Sequence, residues 1–287
     1  MTQQTWFVTG SSRGLGRALV RAALDAGDQV AATARRPEQL DDLVAEFGER
    51  VAPIALDVTD PVAVEGALAA ARERFGRLDV IVNNAGYANI APIETADDTD
   101  VRTQFETNFW GVYHVSKRAL PLLREQGGGT IVQISSMGGR VGGSPGIASY
   151  QAAKFAVDGF SRVLRAEATP FGVRVLVVEP SGFRTDWAGA SMTVHEIPET
   201  YSETVGQMTA YRQTATPAGD PMRAAEIVVQ VAKRHNIPEH LPLGVDAVDG
   251  SLAQEQRLIV EGEMWQYVGR SADFAEAYPV ELPPDVP

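Results

Sequence analysis

A tyrosine and a lysine stand four residues apart, at Tyr150 and Lys154, in a stretch whose pattern predicts a helix. Side chains at positions i and i+4 of a helix share one face, with Cβ atoms about 5–6 Å apart, so the ammonium can lie near the phenol. A phenol tuned by a nearby positive charge can donate or accept a proton in catalysis. The same spacing also occurs as an ordinary surface contact. The rest of the chain has to decide between these interpretations.

Three glycines, Gly10, Gly14 and Gly16, follow the first predicted strand in "TGSSRGLG". Glycine permits a tight turn and a close approach of backbone N–H groups to a pyrophosphate, and the N-terminus of the next helix attracts the same anion. The spacing differs from G-x-G-x-x-G. A plain surface turn is the alternative, but the position at the first strand-to-helix junction favours a dinucleotide site.

Arginines stand where a dinucleotide-binding domain tests the adenosine ribose. The second predicted strand ends in "ATARRP", with Arg35 and Arg36 and no carboxylate, and Arg13 lies inside the glycine turn. An acidic residue here would accept from a free 2′-hydroxyl, whereas a guanidinium suits a 2′-phosphate. We therefore expect NADP(H) to be preferred over NAD(H). Alternatively, the arginines are solvated surface charge.

Two further strand ends carry residues suited to a dinucleotide. Asp57, which precedes Val58 after the third predicted strand, could accept from the adenine amino group. The segment from Asn83 to Gly86 follows the fourth strand, where small residues let the backbone pass close to a cofactor. Each signal is weak when taken alone.

The elements that must position these residues can be read from hydrophobic runs. Short runs rich in Val, Ile and Ala alternate with longer segments of helical periodicity. They include "TWFVTG", "QVAATA", "VAPIALDV", "LDVIVNNAG", "GTIVQISS", "VRVLVVEP" and, less clearly, "HLPLGVD". Strands that are apolar on both faces and alternate with helices predict a parallel sheet covered on both sides. The fold class is α/β, a doubly wound sandwich.

No repeat or linker divides the chain, so we expect a single domain over residues 1–287. The segment at about 181–219 has weak periodicity and is long for a connection, which indicates a lid over the site. A helix should resume after it, with Asp220 as N-cap and Pro221 in the first helical position. An extension at about 249–287 includes an amphipathic segment, Ser251 to Val268.

Composition excludes several classes of function. The formal charge of −12 and a pI near 4.8 argue against binding to nucleic acid or to an anionic membrane. The chain has no cysteine, which excludes disulfides and thiolate chemistry. No run approaches the ~20 apolar residues that span a bilayer. The N-terminus enters strand-like sequence at once, without a signal-peptide pattern, so we expect a cytoplasmic protein.

No metal site is expected. The histidines His114, His235 and His240 show no ligand spacing with one another. The acidic group of Asp97, Asp98 and Asp100 has the pattern of a solvated helix start.

Together these motifs resemble those of the short-chain dehydrogenase/reductase family, over roughly residues 5 to 245. They are Thr9 to Gly16, Asp57, Asn83 to Gly86, Asn108, Ser135 with Ser136, Tyr150 with Lys154, and Glu179 to Thr185 in "EPSGFRT". The resemblance implies a Rossmann-type sheet of seven strands. The stretches "NNAGYA", "SSMGGRVG" and "AAKFAVDGF" are similar to the branch that contains 17β-hydroxysteroid and retinol dehydrogenases and bacterial carbonyl reductases.

The resemblance implies four catalytic residues. Tyr150 would be the general acid or base, with a pKa lowered by about 2–3 units by Lys154 and the nicotinamide. Ser136 would bind the substrate oxygen, with Ser135 as the alternative. Lys154 would also bind the nicotinamide ribose, and Asn108 would hold a water that links Lys154 to solvent. The loop between Ser136 and Tyr150 is one residue longer than usual, with the insertion in "GGSPG".

The resemblance also predicts the cofactor contacts. The turn from Glu179 to Thr185 should cover the nicotinamide, although Ser181 stands where glycine is commoner. The full set of expected cofactor-binding residues is Thr9, Gly10, Ser12, Arg13, Gly14, Leu15, Gly16, Arg35, Asp57, Val58, Asn84, Ala85, Gly86, Tyr150, Lys154, Pro180, Gly182, Phe183 and Thr185.

The expected function is NADPH-dependent reduction of a ketone. Candidate pocket residues are Tyr87, Met137, Val141, Trp187 and Met192, each of which could instead belong to the core. His195 has the pattern of a loop histidine rather than a substrate contact. Alcohol oxidation is the alternative direction, and a non-catalytic dinucleotide sensor is an alternative class. A membrane-surface enzyme is disfavoured by the glutamates of the C-terminal segment. The resemblance implies a homodimer or homotetramer packed through the fold's fourth and fifth helices.

Overall fold

Seven parallel strands form one sheet in the computed structural model, which describes residues 3–185, 192–276, 278 and 281–282. The strands are β1 Thr5–Val8, β2 Gln29–Ala34, β3 Val51–Ala55, β4 Val80–Asn83, β5 Gly129–Ile134, β6 Val173–Pro180 and β7 His240–Leu243. Their order across the sheet is β3-β2-β1-β4-β5-β6-β7, and every neighbouring pair is parallel. The predicted doubly wound α/β sandwich is confirmed, and each strand lies in its predicted run.

Helices connect the strands and cover the sheet. The α-helices are α1 Gly14–Asp25, α2 Asp41–Phe47, α3 Pro61–Phe75, α4 Asp98–Phe105, α5 Gly111–Glu125, α6 Ala148–Ala168, α7 Gln207–Thr214, α8 Pro221–Ala232 and α9 Val245–Arg270. π-Helical turns cover Glu106–Trp110, between α4 and α5, and Ser202–Gly206, before α7. Short 3₁₀ turns cover Pro37–Leu40, Gly48–Arg50, Ile93–Thr95, Met137–Gly139, Thr169–Phe171 and Glu199–Tyr201.

The core lies on both faces of the sheet. Successive residues of β1 point to opposite faces, so Trp6 belongs to the cluster under α1 and α8, while Phe7 belongs to the cluster under α3, α5 and α6. Both side chains are fully buried. The continuous apolar character of the strands is therefore explained by helices on both sides.

The order of the strands positions the functional edge. After β1 the chain moves outward to β2 and β3, and it then returns to β4 on the other side of β1. In open α/β sheets this reversal leaves a crevice at the carboxyl ends of the strands, where ligands bind. The glycine turn after β1 contacts the segment from Asn84 to Gly86 after β4 at this edge of the sheet.

The described part of the segment between β6 and α8 contains more regular structure than its sequence indicated. It includes the π-helical turn and α7, and a short parallel bridge joins Val194 to Ile90 in the loop after β4. A second bridge joins Phe183 to Gly219. The predicted cap is present, because the Asp220 side chain accepts from the backbone N–H groups of the first turn of α8.

The C-terminal helix differs from the prediction. It begins at Val245, six residues before the expected start, and only Ala247 and Ser251 of its residues are buried. Its later apolar side chains, such as Leu258 and Trp265, are about half exposed. None of the helices in the described part of the chain combines the length and apolar character that crossing a bilayer requires.

Candidate active site

Ser136 and Tyr150 meet at the carboxyl end of β5. Ser136 follows the strand, Tyr150 lies in the first turn of α6, and a hydrogen bond joins their side chains. The Ser136 hydroxyl also accepts from the backbone N–H of Gly138 at 3.0 Å. Ser135 points elsewhere and donates to the backbone carbonyl of Lys154 at 3.3 Å. Of the two serines, only Ser136 therefore shares a site with the tyrosine.

Lys154 is held beneath the tyrosine. Its Nζ donates to the carbonyl of Ile134 at 2.7 Å and lies 5.7 Å from the centre of the Tyr150 ring. The side chain is buried, with 3% of the residue exposed. The i to i+4 spacing therefore places the two groups as predicted, with the ammonium fixed by β5.

Burial dominates the acid–base properties of this pair. It raises the pKa of Tyr150 to about 12, although the hydrogen bond with Ser136 acts in the opposite direction. Burial also lowers the pKa of Lys154 to about 8. The expectation that Lys154 and the nicotinamide together lower the pKa of the tyrosine concerns the complex with the cofactor, and it stays a prediction.

Asn108 fixes the backbone around the site. It lies in the π-helical turn between α4 and α5, fully buried, and its amide donates to the carbonyls of Tyr87 and Gln104 at 2.8 and 2.9 Å. Its carbonyl oxygen accepts from the N–H of Tyr87 at 3.1 Å. Gly86 leaves the space between Asn108 and Lys154, since a Cβ there would lie 2.6 Å from Asn108 Oδ1 and 3.5 Å from Lys154 Nζ. The role of Asn108 in holding a water stays a prediction.

The glycine turn, Thr9 to Gly16, forms a cradle in which a side chain at Gly16 would clash with the backbone. Gly10 has φ +67°, and a Cβ on Gly16 would lie 2.2 Å from the carbonyl oxygen of Gly10. Thr9 Oγ1 accepts from the backbone N–H groups of Asn84 and Ala85 at 2.9 and 3.1 Å. The Asn84 amide donates to the carbonyls of Thr9 and Gly10. Thr9 and Asn84 therefore hold the cradle together through their own contacts.

The turn after β6 reaches the same cradle. A Cβ on Gly14 would lie 3.5 Å from the Cβ of Thr185, so the two turns face each other.

Phe183 packs on Gly219 and the core, and Leu15 also turns toward the core. Pro180 and Gly182 complete the turn, and Ser12 lies half-buried in the glycine turn.

Two arginines at the cradle have no ionic partner within the described residues. Arg13 and Arg35 are exposed and make no ion pair there, whereas their neighbour Arg21 binds Glu46 at 2.6 Å. Across the crevice, Asp57 Oδ1 accepts from the N–H and hydroxyl of Thr59. The Val58 side chain is buried against Gly111. The guanidinium groups of Arg13, in the glycine turn, and of Arg35, at the end of β2, are therefore accessible to an anion.

An apolar cluster packs around Tyr150. Ala88, Ile90, Ile147 and Val205 form a buried cluster with the tyrosine. Met192 packs against this cluster, as do Ile197 and Tyr201. Ile90, Ile147 and Val205 were not among the predicted pocket residues, because nothing in their local sequence distinguishes them from other core positions.

The other predicted pocket residues have different surroundings. Met137 and Val141 lie against Gly250 of α9, since a Cβ there would be 3.5 Å from Met137 Sδ and 3.8 Å from Val141 Cγ2. Tyr87 is half-buried beside Asn108, and burial raises the pKa of its phenol. Trp187 lies outside the described residues.

A polar network anchors the segment that follows β6. Asp100 accepts from the amides of Asn89 and Gln104 at 2.7 and 2.9 Å, and His195 Nε2 lies 3.3 Å from the same carboxylate. Asn89 Oδ1 accepts from the N–H of Thr193 at 3.0 Å. The interpretation of Asp100 as part of a solvated helix start is therefore wrong. Asp97 does cap α4, by accepting from two N–H groups of its first turn.

A second ionic cluster lies behind the end of β6. Asp158, Glu179 and His240 bring three ligand atoms within 4.8 Å of one another. Arg140 binds Glu179 and Arg162 binds Asp158, so each carboxylate already has a cationic partner. These arginines favour an ion-pair network over a metal site here, and the expected absence of a metal stays a prediction.

The comparison with known proteins identifies the family. The family model described as short chain dehydrogenase matches residues 4–194. The chain belongs to the short-chain dehydrogenase family. It is accordingly an oxidoreductase, and the predicted resemblance is confirmed, while the particular branch stays a prediction.

Relatives within the short-chain dehydrogenase family cover almost the whole chain. Oxidoreductase BOA17 of Botryotinia fuckeliana (strain B05.10) is 48% identical over 264 residues, which are 91% of this chain and 96% of that protein. A short-chain dehydrogenase from Streptomyces avermitilis has a solved structure with a TM-score of 0.89 and 38% identity, covering 95% and 100% of the two chains. The structure of a short chain dehydrogenase from Burkholderia cenocepacia J2315 in complex with NADP has a TM-score of 0.70 and 26% identity, covering 90% and 97%.

Proposed function

We propose that the protein is an NADPH-dependent carbonyl reductase that converts a hydrophobic ketone to a secondary alcohol. The observation that carries the proposal is the buried Tyr150, joined to Ser136 and placed above Lys154 beside the glycine cradle. A phenol with a pKa of about 12 keeps its proton at neutral pH. It is therefore a proton donor, which is the group that carbonyl reduction requires.

The protein's own residues supply the proton and hold the oxygen. Tyr150 donates its proton to the carbonyl oxygen as negative charge develops there, and Ser136 donates a second hydrogen bond to the same atom. Lys154 keeps a positive charge below pH of about 8 and stabilises the phenolate that Tyr150 becomes. Asn108 keeps the backbone at Tyr87 in place through three hydrogen bonds.

The cofactor fits the glycine cradle and the arginines at its rim. When bound, NADPH supplies the hydride. The backbone at Gly10, Gly14 and Gly16 would hold the pyrophosphate, and Arg13 with Arg35 would bind the 2′-phosphate. Both guanidinium groups are exposed and lack an ionic partner within the described residues. The NADP complex of the Burkholderia relative supports this choice.

The remaining cofactor contacts are those that the family resemblance implies. Asp57 retains one carboxylate oxygen beyond its turn hydrogen bonds for the adenine amino group. Ala85 and Gly86 would pass against the cofactor, and Pro180 to Thr185 would close over the nicotinamide. Lys154 would also bind the ribose hydroxyls.

An apolar substrate is proposed from the aliphatic cluster that packs around Tyr150. It consists of Ala88, Ile90, Ile147 and Val205, with Met192 beside them. Such a surface gains free energy by removing an apolar ligand from water. A medium-sized ketone with a hydrophobic body therefore fits better than a polar or charged one.

The expected preference for NADP(H) favours the direction of reduction. The tyrosine serves both directions, because it donates the proton in reduction and accepts it in oxidation. We therefore propose carbonyl reduction, with alcohol oxidation as the reverse reaction.

The proposal is tested by the loss of absorbance at 340 nm with NADPH or NADH and a panel of aliphatic, aromatic and steroidal ketones. We expect turnover with hydrophobic ketones and a lower KM for NADPH than for NADH. Absence of turnover on the whole panel, together with measurable NADPH binding, would contradict the reductase and favour a dinucleotide sensor.

A further inference from the structure

We propose that Arg140 and Glu255 are substrate-positioning residues that fix the C-terminal helix as a wall of the substrate site. Arg140 links a buried carboxylate at the end of β6 to α9, across the loop that carries Met137 and Val141. The proposal rests on the proposed function, because it assigns the wall of that same site. Three observations carry it.

The first observation is a buried ion pair beside the turn that faces the nicotinamide site. Glu179 is 1% exposed and directly precedes Pro180, and Arg140 Nη1 lies 3.4 and 3.2 Å from its two carboxylate oxygens. His240 Nδ1 lies 2.8 Å from Glu179 Oε1. A buried carboxylate needs such partners, so the position of Arg140 is set by the strand rather than by solvent.

The second observation is the turn from which Arg140 projects. The backbone N–H groups of Arg140 and Val141 both donate to the carbonyl of Met137, at 3.1 and 2.8 Å. Gly139 donates in the same way to the carbonyl of Ser136. Fixing the guanidinium therefore fixes the turn that begins at Ser136 and includes two predicted pocket residues.

The third observation is the contact with α9. Arg140 Nε and Nη2 donate to Glu255 Oε1 at 3.2 and 2.9 Å. Five residues earlier, Gly250 lies against Met137 and Val141, where a Cβ would be in ordinary van der Waals contact. Only Ala247 and Ser251 of α9 are buried. The ionic contact at Glu255 therefore supplements a small apolar contact and holds the helix over the loop.

We expect the loss of these contacts to change KM for a large ketone more than kcat or the KM for NADPH. A looser α9 displaces Met137 and Val141, which affects the binding of a ketone large enough to reach them. Ser136 is held separately, by its hydrogen bonds with Tyr150 and with the N–H of Gly138, so a looser α9 should disturb the reacting groups and the glycine cradle less than Met137 and Val141. KM for a large ketone should therefore change while kcat and the KM for NADPH change little.

The experiment compares Glu255→Gln with Glu261→Gln in the full-length protein. Both variants remove one negative charge from α9, and Glu261 is exposed and has no ion pair within the described residues. We expect Glu255→Gln to raise KM for a large ketone by about two- to ten-fold, because the amide oxygen still accepts from Arg140 but without the charge that strengthens the contact, with kcat and the KM for NADPH within about two-fold. Glu261→Gln should match the wild type.

Arg140→Lys provides a second variant that keeps the charge next to Glu179. An ammonium cannot bind two carboxylates with the fork of a guanidinium, so this variant should raise the same KM. If Glu255→Gln and Arg140→Lys both have the wild-type KM for every ketone, the proposal is wrong.

Amide hydrogen exchange tests the link between Arg140 and α9 independently of whether the protein reduces a ketone. The amides of residues 137–141 and 245–255 should exchange faster in Glu255→Gln than in Glu261→Gln, whether or not a ketone is turned over. Equal exchange in the two variants would overturn the positioning role. Absence of ketone turnover by the wild type, with faster exchange in Glu255→Gln, would contradict the reductase and leave the structural link supported.

Discussion

At Tyr150, burial of the side chain sets the acid–base properties of the phenol. The tyrosine is buried and hydrogen-bonded to Ser136, and burial raises its pKa, so in the proposed reaction the phenol would keep its proton until the substrate oxygen accepts it. The i to i+4 spacing predicted its proximity to Lys154. It could not predict the pKa, which depends on how much of the chain covers the two side chains.

Lys154 should leave a signature in the pH dependence of stability. Its pKa falls from 10.5 to about 8 in the folded protein, so between these values the unfolded chain binds more protons than the folded one. The contribution of Lys154 to the free energy of unfolding should therefore rise with pH, by about 2 kcal/mol between pH 8 and 10.

Urea unfolding of the wild type and Lys154→Met at pH 7, 8, 9 and 10 measures this contribution. The difference in unfolding free energy between the two proteins should move in favour of the wild type as pH rises. A difference that stays constant or moves the other way would contradict the assigned pKa.

Arg35 should determine the choice of cofactor. Replacing Arg35 with alanine removes a charge-assisted contact to the 2′-phosphate, so KM for NADPH should rise about ten-fold or more, with little change for NADH. Arg102→Ala is a matched control, because Arg102 is exposed on α4. Steady-state kinetics with both cofactors measure the change, and an unaltered NADPH KM in Arg35→Ala would exclude this role.

At the scale of elements, the glycine turn joins β1 to α1 with no room for side chains. Gly16→Ala would place a Cβ against the carbonyl of Gly10 and the amide of Asn84, at 2.2 and 2.3 Å. The cradle must then open, and we expect NADPH affinity to fall by at least about ten-fold, the effect of losing a well-placed hydrogen bond to a charged group.

Gly66→Ala is the matched control for the glycine turn. Gly66 lies on the exposed face of α3 with nothing within 4 Å of an added Cβ, so alanine should stabilise the helix by about 0.5–1 kcal/mol. Fluorescence titration with NADPH and thermal unfolding test both variants. Equal NADPH affinity in the two would show that the cradle is not the cofactor site.

The elements that the sequence predicted are those with a local signal. Seven apolar runs predicted seven strands, and Asp220 with Pro221 predicted the start of α8. The Arg140 contacts could not be foreseen, because the ion pairs join residues 39 and 115 positions apart in the chain. The early start of α9 was also missed, since Gly244 and its neighbours carry no conventional cap.

At the scale of the whole molecule, the outer face of α6 is exposed and apolar. Ala152, Phe155, Gly159 and Val163 follow one another along it, and Phe155 and Val163 are 44% and 58% exposed. An exposed apolar face of this kind predicts contact with a second copy of the chain, in line with the predicted homodimer or homotetramer.

We expect the wild type to have a mass in solution that is a multiple of 30.8 kDa and Val163→Arg to reduce it. A two-fold symmetric interface contains each substitution twice, so Val163→Arg places two positive charges in the contact between two copies. Val62→Arg, at an exposed site on α3, is the control. Light scattering after size-exclusion chromatography measures the mass, and a wild-type mass of 30.8 kDa would refute an oligomer.

The central claim, that Tyr150 donates the proton in ketone reduction, is tested most directly by comparing Tyr150→Phe with the wild type on one ketone and NADPH. The account predicts a fall in kcat by about 10²–10⁴-fold with NADPH affinity retained, because phenylalanine keeps the ring but has no proton to give. A Tyr150→Phe variant that reduces the ketone at the wild-type rate would contradict the account.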